Sequence, residues 1–166
     1  QFTREERPVK TQAALVVTLA ETLRQEWPDL DFAVAGLGRS EKLPDWIKDL
    51  RQTKLNTGIE RQWCTRYGAS HVVVGVHGSN MLLPSAHAAS VVELIGEDRW
   101  GNFLQDILFR PGDSREMFFR YRFLDDKVSA SSLARVLTSL LGGLTKFRYL
   151  MDPRFCKHGI DYGALR

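Results

Sequence analysis

Residues 71–95 have the sequence HVVVGVHGSNMLLPSAHAASVVELI. The first part, HVVVGV, is rich in β-branched residues and predicts a strand that is covered on both faces of a parallel sheet. The loop HGSN, a helix over about residues 81–89 and a second β-branched run at residues 90–95 follow it. The segment therefore predicts a βαβ unit, whose crossover should be right-handed.

The residues on either side continue this alternation of helices and strands. We predict helices at about residues 11–27, 46–50, 59–67, 99–109 and 131–147, and strands at about residues 31–36 and 117–124. Gly142 and Gly143 are candidate points for an early end of the last helix. The alternation favours an α/β fold of the Rossmann-like, doubly wound type with a mainly parallel sheet. We assign residues 1–150 to this domain and residues 151–166 to a C-terminal tail.

The composition is typical of a folded globular chain. The 166 residues are enough for one sizeable core, and contents of 43% hydrophobic and 26% charged residues are ordinary for soluble domains. The formal charge of +3 comes from 23 basic and 20 acidic residues that are spread along the chain. This distribution argues against a nucleic-acid-binding protein.

Cysteine usage and hydropathy argue against further classes. Cys64 and Cys156 are the only cysteines and form no CxxC motif, so a disulfide framework or a structural zinc site has little support. No apolar run approaches the ~18 residues that a membrane span needs. The chain begins at Gln1 without a signal-peptide pattern, and we expect it to be part of a longer protein. Its few cysteines favour the cytoplasm, with a secretory compartment as the alternative.

The loop HGSN carries the candidate chemistry, because ligands of open parallel sheets bind beyond the carboxyl ends of the strands, near helix N-termini. Gly78 allows close backbone approach, and His77 can donate a hydrogen bond to a phosphate oxygen. Ser79 and Asn80 can contact an anion or cap the helix. These features suit a diphosphate. In the plainer alternative, Ser79 and Asn80 only cap a helix and His77 bonds within the fold.

Glu93 lies near the end of the second β-branched run. A carboxylate that follows a phosphate-binding helix is well placed to accept hydrogen bonds from ribose hydroxyls. The alternative is a partly exposed charge at a strand end. With His77 and Glu93 together, the segment favours a nucleotide as the ligand.

Residues 72–94 resemble the signature of glycosyltransferase family 61. In that signature an aliphatic strand ending in Gly runs into His-Gly-Ala, a helix follows, and the next strand ends in Val-Val-Glu-Leu. The resemblance is detailed over residues 71–95 and covers residues 1–110 in outline. Ser79 and Asn80 depart from it, since the family has Ala-Gly or Ala-Gln there, and Met81-Leu82-Leu83-Pro84 replaces the family's usual aliphatic continuation.

The resemblance implies a GT-B architecture of two Rossmann-like domains, of which this chain would be the C-terminal, donor-binding one. It implies transfer of a sugar from a nucleoside diphosphate-sugar to an acceptor hydroxyl on a glycan or protein, with inversion and without an obligatory metal or other cofactor. His77 and Gly78 would lie at the donor diphosphate and Glu93 at the ribose. His77 would stabilise the leaving diphosphate, and a missing N-terminal domain would supply the base.

Four further residues are candidates for donor contacts. Arg4 and Arg7 precede the first helix, where similar enzymes carry an arginine-rich loop that faces the phosphates; a solvated charged terminus is the alternative. Trp100 can stack on a base while Arg99 pairs with phosphate, although a tryptophan at a helix start is more often a core anchor.

Other enzyme classes find no support. The GLG at residues 36–38 lacks the third glycine of a dinucleotide fingerprint, and neither GxSxG nor HExxH occurs. The competing hypothesis is a Rossmann-like module that binds a nucleotide or a protein partner without catalysing any transfer.

Overall fold

The computed structural model describes residues 9–38, 41–107 and 120–151. The helices are α1 (Val9–Glu26), α2 (Thr57–Gly68), α3 (Leu82–His87) and α4 (Ala130–Met151). The strands are β1 (Phe32–Val34), β2 (Ile47–Asp49), β3 (Val73–Val76), β4 (Val91–Ile95) and β5 (Tyr121–Asp125). Two 3₁₀ segments, Ser79–Met81 and Glu97–Asp106, follow β3 and β4.

The described strands form two parallel sheets. β1 pairs with β2, and β3, β4 and β5 lie side by side in that order. β3 and β4 are parallel neighbours joined through α3, which confirms the predicted βαβ unit. The chain is thus a mixed α/β protein with small parallel sheets, an arrangement compatible with a Rossmann-like fold.

The three-stranded sheet has two chemically different faces, because side chains alternate along each strand. We call one the apolar face. Its strand residues pack against leucines of α1 and α4, of which Leu23, Leu133 and Leu137 are buried. The strand residues of this face are Val72, Val74, Val92, Leu94 and Leu124. Their burial makes this face the main hydrophobic core of the described chain.

We call the opposite side the loop face, because it carries the 77–80 loop. Its apolar part consists of Met81, Ala88, Val91 and Tyr121, with Val73, Ile107 and Phe123 packed against them. α3 lies here, and α2 packs against α3. Helices therefore cover both faces of the sheet, as the β-branched run HVVVGV predicts.

Local signals explain where α1 ends and where α2 begins. α1 ends at Glu26, shortly before Pro28, which cannot continue a helix. The Asn56 side chain accepts a hydrogen bond of 3.0 Å from the Ile59 N–H and so caps α2. The prediction of both helices is confirmed to within about two residues at each end, the usual uncertainty of helix boundaries.

The predicted helix at residues 46–50 is wrong. These residues contain β2, which pairs in parallel with β1 in the register Phe32↔Ile47. Ile47 is buried there with Leu43 and Ala20. A strand of three residues is too short to show a period in the sequence, so only its pairing identifies it.

Two other helix predictions need correction. Residues 99–109 were expected to form a helix, but the structure has 3₁₀ turns over Glu97–Asp106 with a kink at Asn102, where φ is −128°. Gly142 and Gly143 do not end α4, which runs on to Met151. A Cβ at either glycine would meet nothing within 4 Å, so the helix bears only the usual cost of glycine, about 1 kcal/mol each.

Some predictions concern residues outside the described ranges. Most of the predicted tail at residues 151–166 lies there, as do Arg4 and Arg7. Within the described ranges, no helix combines the length and the hydropathy that crossing a membrane requires.

Candidate functional site

A buried polar pair lies on the loop face of the three-stranded sheet. His77 Nδ1 and Glu93 Oε2 are 2.6 Å apart, and the two side chains are 1% and 0% exposed. Such a distance is that of a strong, charge-assisted hydrogen bond. A histidine and a carboxylate removed from water together are rare in a core otherwise made of apolar groups.

Strand register brings the two residues together. Gly75 on β3 is paired with Glu93 on β4. Because residues two apart along a strand share a face, His77 lies on the same face as Gly75 and Glu93. The His77 N–H donates to the Leu94 carbonyl at 2.9 Å, so the ladder continues one residue past the end of β3.

Gly75 leaves room for the turn that follows. A Cβ on Gly75 would collide with the Sδ atom of Met81, which is buried against the loop face. The thioether of Met81 therefore occupies the place where any other residue at position 75 would carry its side chain. This contact holds the Ser79–Met81 turn down on the sheet beside the buried pair.

The loop above the pair is closed by local hydrogen bonds. Gly78 has φ of +150°, a value that side chains disfavour, and its carbonyl accepts from the Met81 N–H at 2.8 Å. The Asn80 side chain donates to the Val76 carbonyl at 3.1 Å. Ser79 and Asn80 are exposed, and no side-chain hydrogen bond caps the turn. The part of the plainer alternative in which these two side chains cap the helix is therefore wrong. Its other part, that His77 bonds within the fold, is confirmed by the hydrogen bond with Glu93.

The structure corrects the alternatives for Glu93 and for the tryptophan. Glu93 is fully buried, so it is not a partly exposed charge at a strand end. Its carboxylate lies against His77, and its contact with a ribose stays a prediction. Trp100 is 43% exposed and contacts Phe103 at 6.4 Å between ring centroids, so it is not a core anchor. Arg99 Nε lies 3.6 Å from Asp98 Oδ2 in the same segment.

The structure thus brings the described site residues together. The Glu97–Asp106 segment, which holds Arg99 and Trp100, packs against the Ser79–Met81 turn and β4. His77, Gly78, Ser79, Asn80 and Glu93 form one continuous site. Shallow cavities beside α1 and between β5 and α4 lie elsewhere. The candidate site lies at the edge of the sheet where β3 and β4 end.

Acidic side chains surround this edge. Asp98 Oδ1 and Asp126 Oδ2 come within 3.0 and 3.3 Å of the position that a Cβ on Gly96 would take. Glu97 and Asp125 are exposed next to them, while the basic neighbours in the same turns are Arg99 and Lys127. No group of three or more histidine, cysteine, aspartate and glutamate residues that could hold a metal occurs within the described part of the chain.

Two side chains away from the edge have shifted pKa values. The hydrogen bond that the Arg51 guanidinium donates to Asp49 raises the pKa of Arg51. Burial raises the pKa of Tyr67 on α2, and the nearby Cys64 adds to the rise. Neither group belongs to the candidate site.

Arg120 is a residue that the sequence analysis does not single out. Its guanidinium donates to the carbonyls of Ala88 at 2.7 Å, Ser85 at 3.0 Å and Ala89 at 3.3 Å. These carbonyls lie at the C-terminal end of α3. Arg120 therefore supplies hydrogen-bond donors to them, and its positive charge complements the negative end of the helix dipole. A glycine inside a β-branched run could have pointed to Gly75, but no local signal marks Arg120.

Comparison of the chain with protein-family models, with curated proteins and with solved structures gives no match.

Proposed function

We propose that this chain is the donor-binding domain of a glycosyltransferase. It binds a nucleoside diphosphate-sugar, whose sugar passes with inversion to an acceptor hydroxyl on a glycan or a protein. The observation that carries the proposal is the buried His77–Glu93 hydrogen bond beneath the exposed loop of residues 78–80. The proposal includes a doubly wound Rossmann-like fold that forms one half of a GT-B architecture.

The cost of burying the pair supports a functional role. Removing an ion pair from water costs several kcal/mol per ion, and apolar residues of the same size often stabilise a core as well or better. The neighbours on this face, Val73, Val91 and Met81, show that apolar side chains fit here. Perturbed or buried ionisable groups cluster at functional sites, and this pair lies where parallel sheets bind their ligands.

The exposed loop supplies the donors that a diphosphate needs. Backbone N–H groups that open a helical turn have no acceptor within the turn, and in this proposal those of Ser79 and Asn80 donate to phosphate oxygens. Gly78 lets the backbone approach the ligand closely. The imidazole of His77 lies directly below and stabilises the negative charge that grows on the leaving diphosphate.

The remaining donor contacts come from neighbouring segments. Trp100, exposed beside the Ser79–Met81 turn, stacks on the base, and Arg99 pairs with phosphate. Glu93 reaches the ribose only when the 78–80 loop shifts, because its carboxylate is buried in the present structure. Arg4 and Arg7 approach the phosphates from the N-terminal side. This edge of the sheet is closed by the N-terminal domain, which also supplies the base and the acceptor site.

One observation favours the second candidate, a Rossmann-like module without transferase activity. Glu97, Asp98, Asp125 and Asp126 surround the edge, and their negative charges oppose an anionic ligand. In this candidate function the His77–Glu93 hydrogen bond contributes only to the folded structure and contacts no ligand. The two candidates differ in whether a sugar is transferred, and a module that binds a protein partner would in addition leave the loop without a nucleoside diphosphate.

Calorimetric titration of this chain with UDP, GDP, UDP-glucose and GDP-mannose tests the proposal. We expect saturable binding of at least one of the four. Ser79→Pro removes one backbone donor, and proline is tolerated at the first position of a helical turn. Loss of one hydrogen bond to a charged group should weaken binding about 10- to 100-fold.

Ser79→Ala is the matched control, since it removes the hydroxyl and keeps the N–H. We expect it to bind within about threefold of the unmodified chain, because the proposal uses the backbone at this position. A folded chain that binds none of the four nucleotides would contradict the proposal and favour a module that binds a protein partner. Equal nucleotide affinities of the Ser79→Pro and Ser79→Ala variants would show that the diphosphate does not bind to the backbone of this loop.

A further inference from the structure

Arg120 lies at the end of α3 that is far from the candidate site. Its guanidinium donates to the carbonyls of Ser85, Ala88 and Ala89 at 3.0, 2.7 and 3.3 Å, in the last turn of α3 and just after it. The Ser79–Met81 turn, in contrast, leads directly into the beginning of α3. A helix of six residues is about 9 Å long, so this guanidinium is too far from the turn to contact a ligand there.

α3 depends on contacts from outside the helix. Isolated helices shorter than about 12 residues are marginal in water, and α3 has six residues, one of which is Pro84 with no N–H to donate. The last carbonyls of a helix have no donor within the helix itself. Arg120 supplies donors at this end, and the Tyr121 hydroxyl adds a longer hydrogen bond of 3.4 Å to the Ser85 carbonyl. The beginning of β5 therefore holds the end of α3 in place.

The beginning of α3 carries the backbone donors of the candidate site. Met81 is 2% exposed and connects the turn to the helix, and its thioether packs over Gly75. The turn and α3 are thus one continuous piece of backbone with an anchor at each end, the methionine contact at one and the guanidinium at the other. Any displacement of α3 along the sheet also displaces the N–H groups of Ser79 and Asn80.

We infer that Arg120 is a positioning residue of the donor site, an inference that rests on the proposed function. By holding the end of α3, Arg120 fixes the place of the Ser79 and Asn80 N–H groups that donate to the diphosphate. Hydrogen bonds lose strength quickly when their length or angle departs from the optimum, so a loosened α3 binds the nucleotide more weakly. A guanidinium suits this role because its planar fork presents several donors at fixed angles.

Titration of the Arg120→Met variant with UDP-glucose and GDP-mannose tests this role. Methionine keeps an apolar stem and removes every donor of the guanidinium. We expect the affinity to fall about tenfold, a typical size for the coupling between two separate sites. Arg51→Met is the matched control, because the Arg51 guanidinium also donates to a backbone carbonyl, that of Glu41 at 2.6 Å, but lies away from α3. It should bind within about twofold of the unmodified chain.

Ionic strength distinguishes positioning from a simple attraction of charges. Arg120 carries a positive charge, and its attraction for a diphosphate about 10 Å away is largely screened above about 0.1 M salt. Hydrogen bonds that hold α3 in place are not screened in this way. The ratio of the affinities of the unmodified chain and Arg120→Met should therefore be the same at about 0.05 M and 0.5 M sodium chloride. A ratio that falls to one at the higher concentration would overturn the inference.

The outcomes separate the inference from the proposed function. Equal affinities of folded Arg120→Met and the unmodified chain would overturn the inference and leave the proposed function standing. No binding of either sugar nucleotide to the unmodified chain would overturn the proposed function and the inference with it. If Arg120→Met does not fold, hydrogen exchange in the unmodified chain decides. Because coupling is reciprocal, bound nucleotide should slow the exchange of the Arg120 Nε–H about tenfold, and an unchanged rate contradicts the inference.

Discussion

The apolar face and the loop face belong to the same three strands but are built for different tasks. The apolar face presents valine and leucine side chains to α1 and α4. The loop face replaces this pattern with Gly75, His77 and Glu93 at the end of the strands where ligands of parallel sheets bind. The difference indicates that one face supplies most of the hydrophobic stabilisation, while the other buries a polar pair at the position where we propose that the donor binds.

The largest effect on stability is expected on the apolar face. Leu137 is 3% exposed in the core between α4 and the sheet. Leu137→Ala should lower the free energy of unfolding by about 2–5 kcal/mol, as large-to-small changes in cores do. Urea denaturation measures this loss, and Ser139→Ala at an exposed position of the same helix is the control. Well below the melting temperature, nucleotide binding should be unchanged, and a loss below about 1 kcal/mol would contradict the assignment of the main core.

A double-mutant cycle on the loop face should give the next largest effect. His77→Leu and Glu93→Met each remove the hydrogen bond between the two side chains and should cost about 1–3 kcal/mol of unfolding free energy. The double variant should recover to within about 1 kcal/mol of the unmodified chain, because apolar residues can replace a buried pair. Additive losses in the double variant would show that the two side chains are not coupled and would contradict the assignment of a buried hydrogen-bonded pair.

The packing of Met81 against Gly75 gives a smaller expected effect. Gly75→Ala places a methyl group against the Met81 thioether and should cost about 1 kcal/mol, the low end for overpacking, because methionine is flexible. The same change in a Met81→Ala background should cost less. Gly142→Ala is the control: it lies exposed inside α4 with no atom in the way and should stabilise the chain by about 0.5–1 kcal/mol. Equal costs of Gly75→Ala in both backgrounds would show that the thioether is not the obstacle.

The smallest effect concerns α2, which packs on α3 at the loop face. Burial raises the pKa of Tyr67, and Cys64 adds to the rise, so the folded chain holds the phenol proton more tightly than the unfolded chain does. The stability from this group is fully present below the ordinary pKa of about 10 and is lost as the pH rises through the folded-state value. Tyr67→Phe should therefore flatten the loss of stability in alkaline solution. Denaturation at a series of alkaline pH values measures it, and identical profiles for the two chains would contradict the burial of the phenol.

The elements that could be predicted from the sequence are those with a long or distinctive local pattern. The βαβ unit, α1, α2 and α4 are confirmed because apolar periodicity, β-branched runs and the proline after α1 are all local signals. β2 is missed because three residues with one buried side chain have no period. The expected break at Gly142 fails because glycine weakens a helix by a limited amount, which packing of Leu133 and Leu137 outweighs.

The sequence by itself determined that a glycine-containing loop with His77 follows an aliphatic strand, and that Glu93 lies in the next strand. The order of residues along the chain is sufficient for such statements. Only the tertiary structure decided that Glu93 lies 2.6 Å from His77 and away from solvent, because this depends on the register of β3 against β4. It also decided that Arg120 donates hydrogen bonds to the carbonyls at the end of α3, of which Ala88 is 32 residues away along the chain. Such long-range contacts leave no period or motif in the sequence.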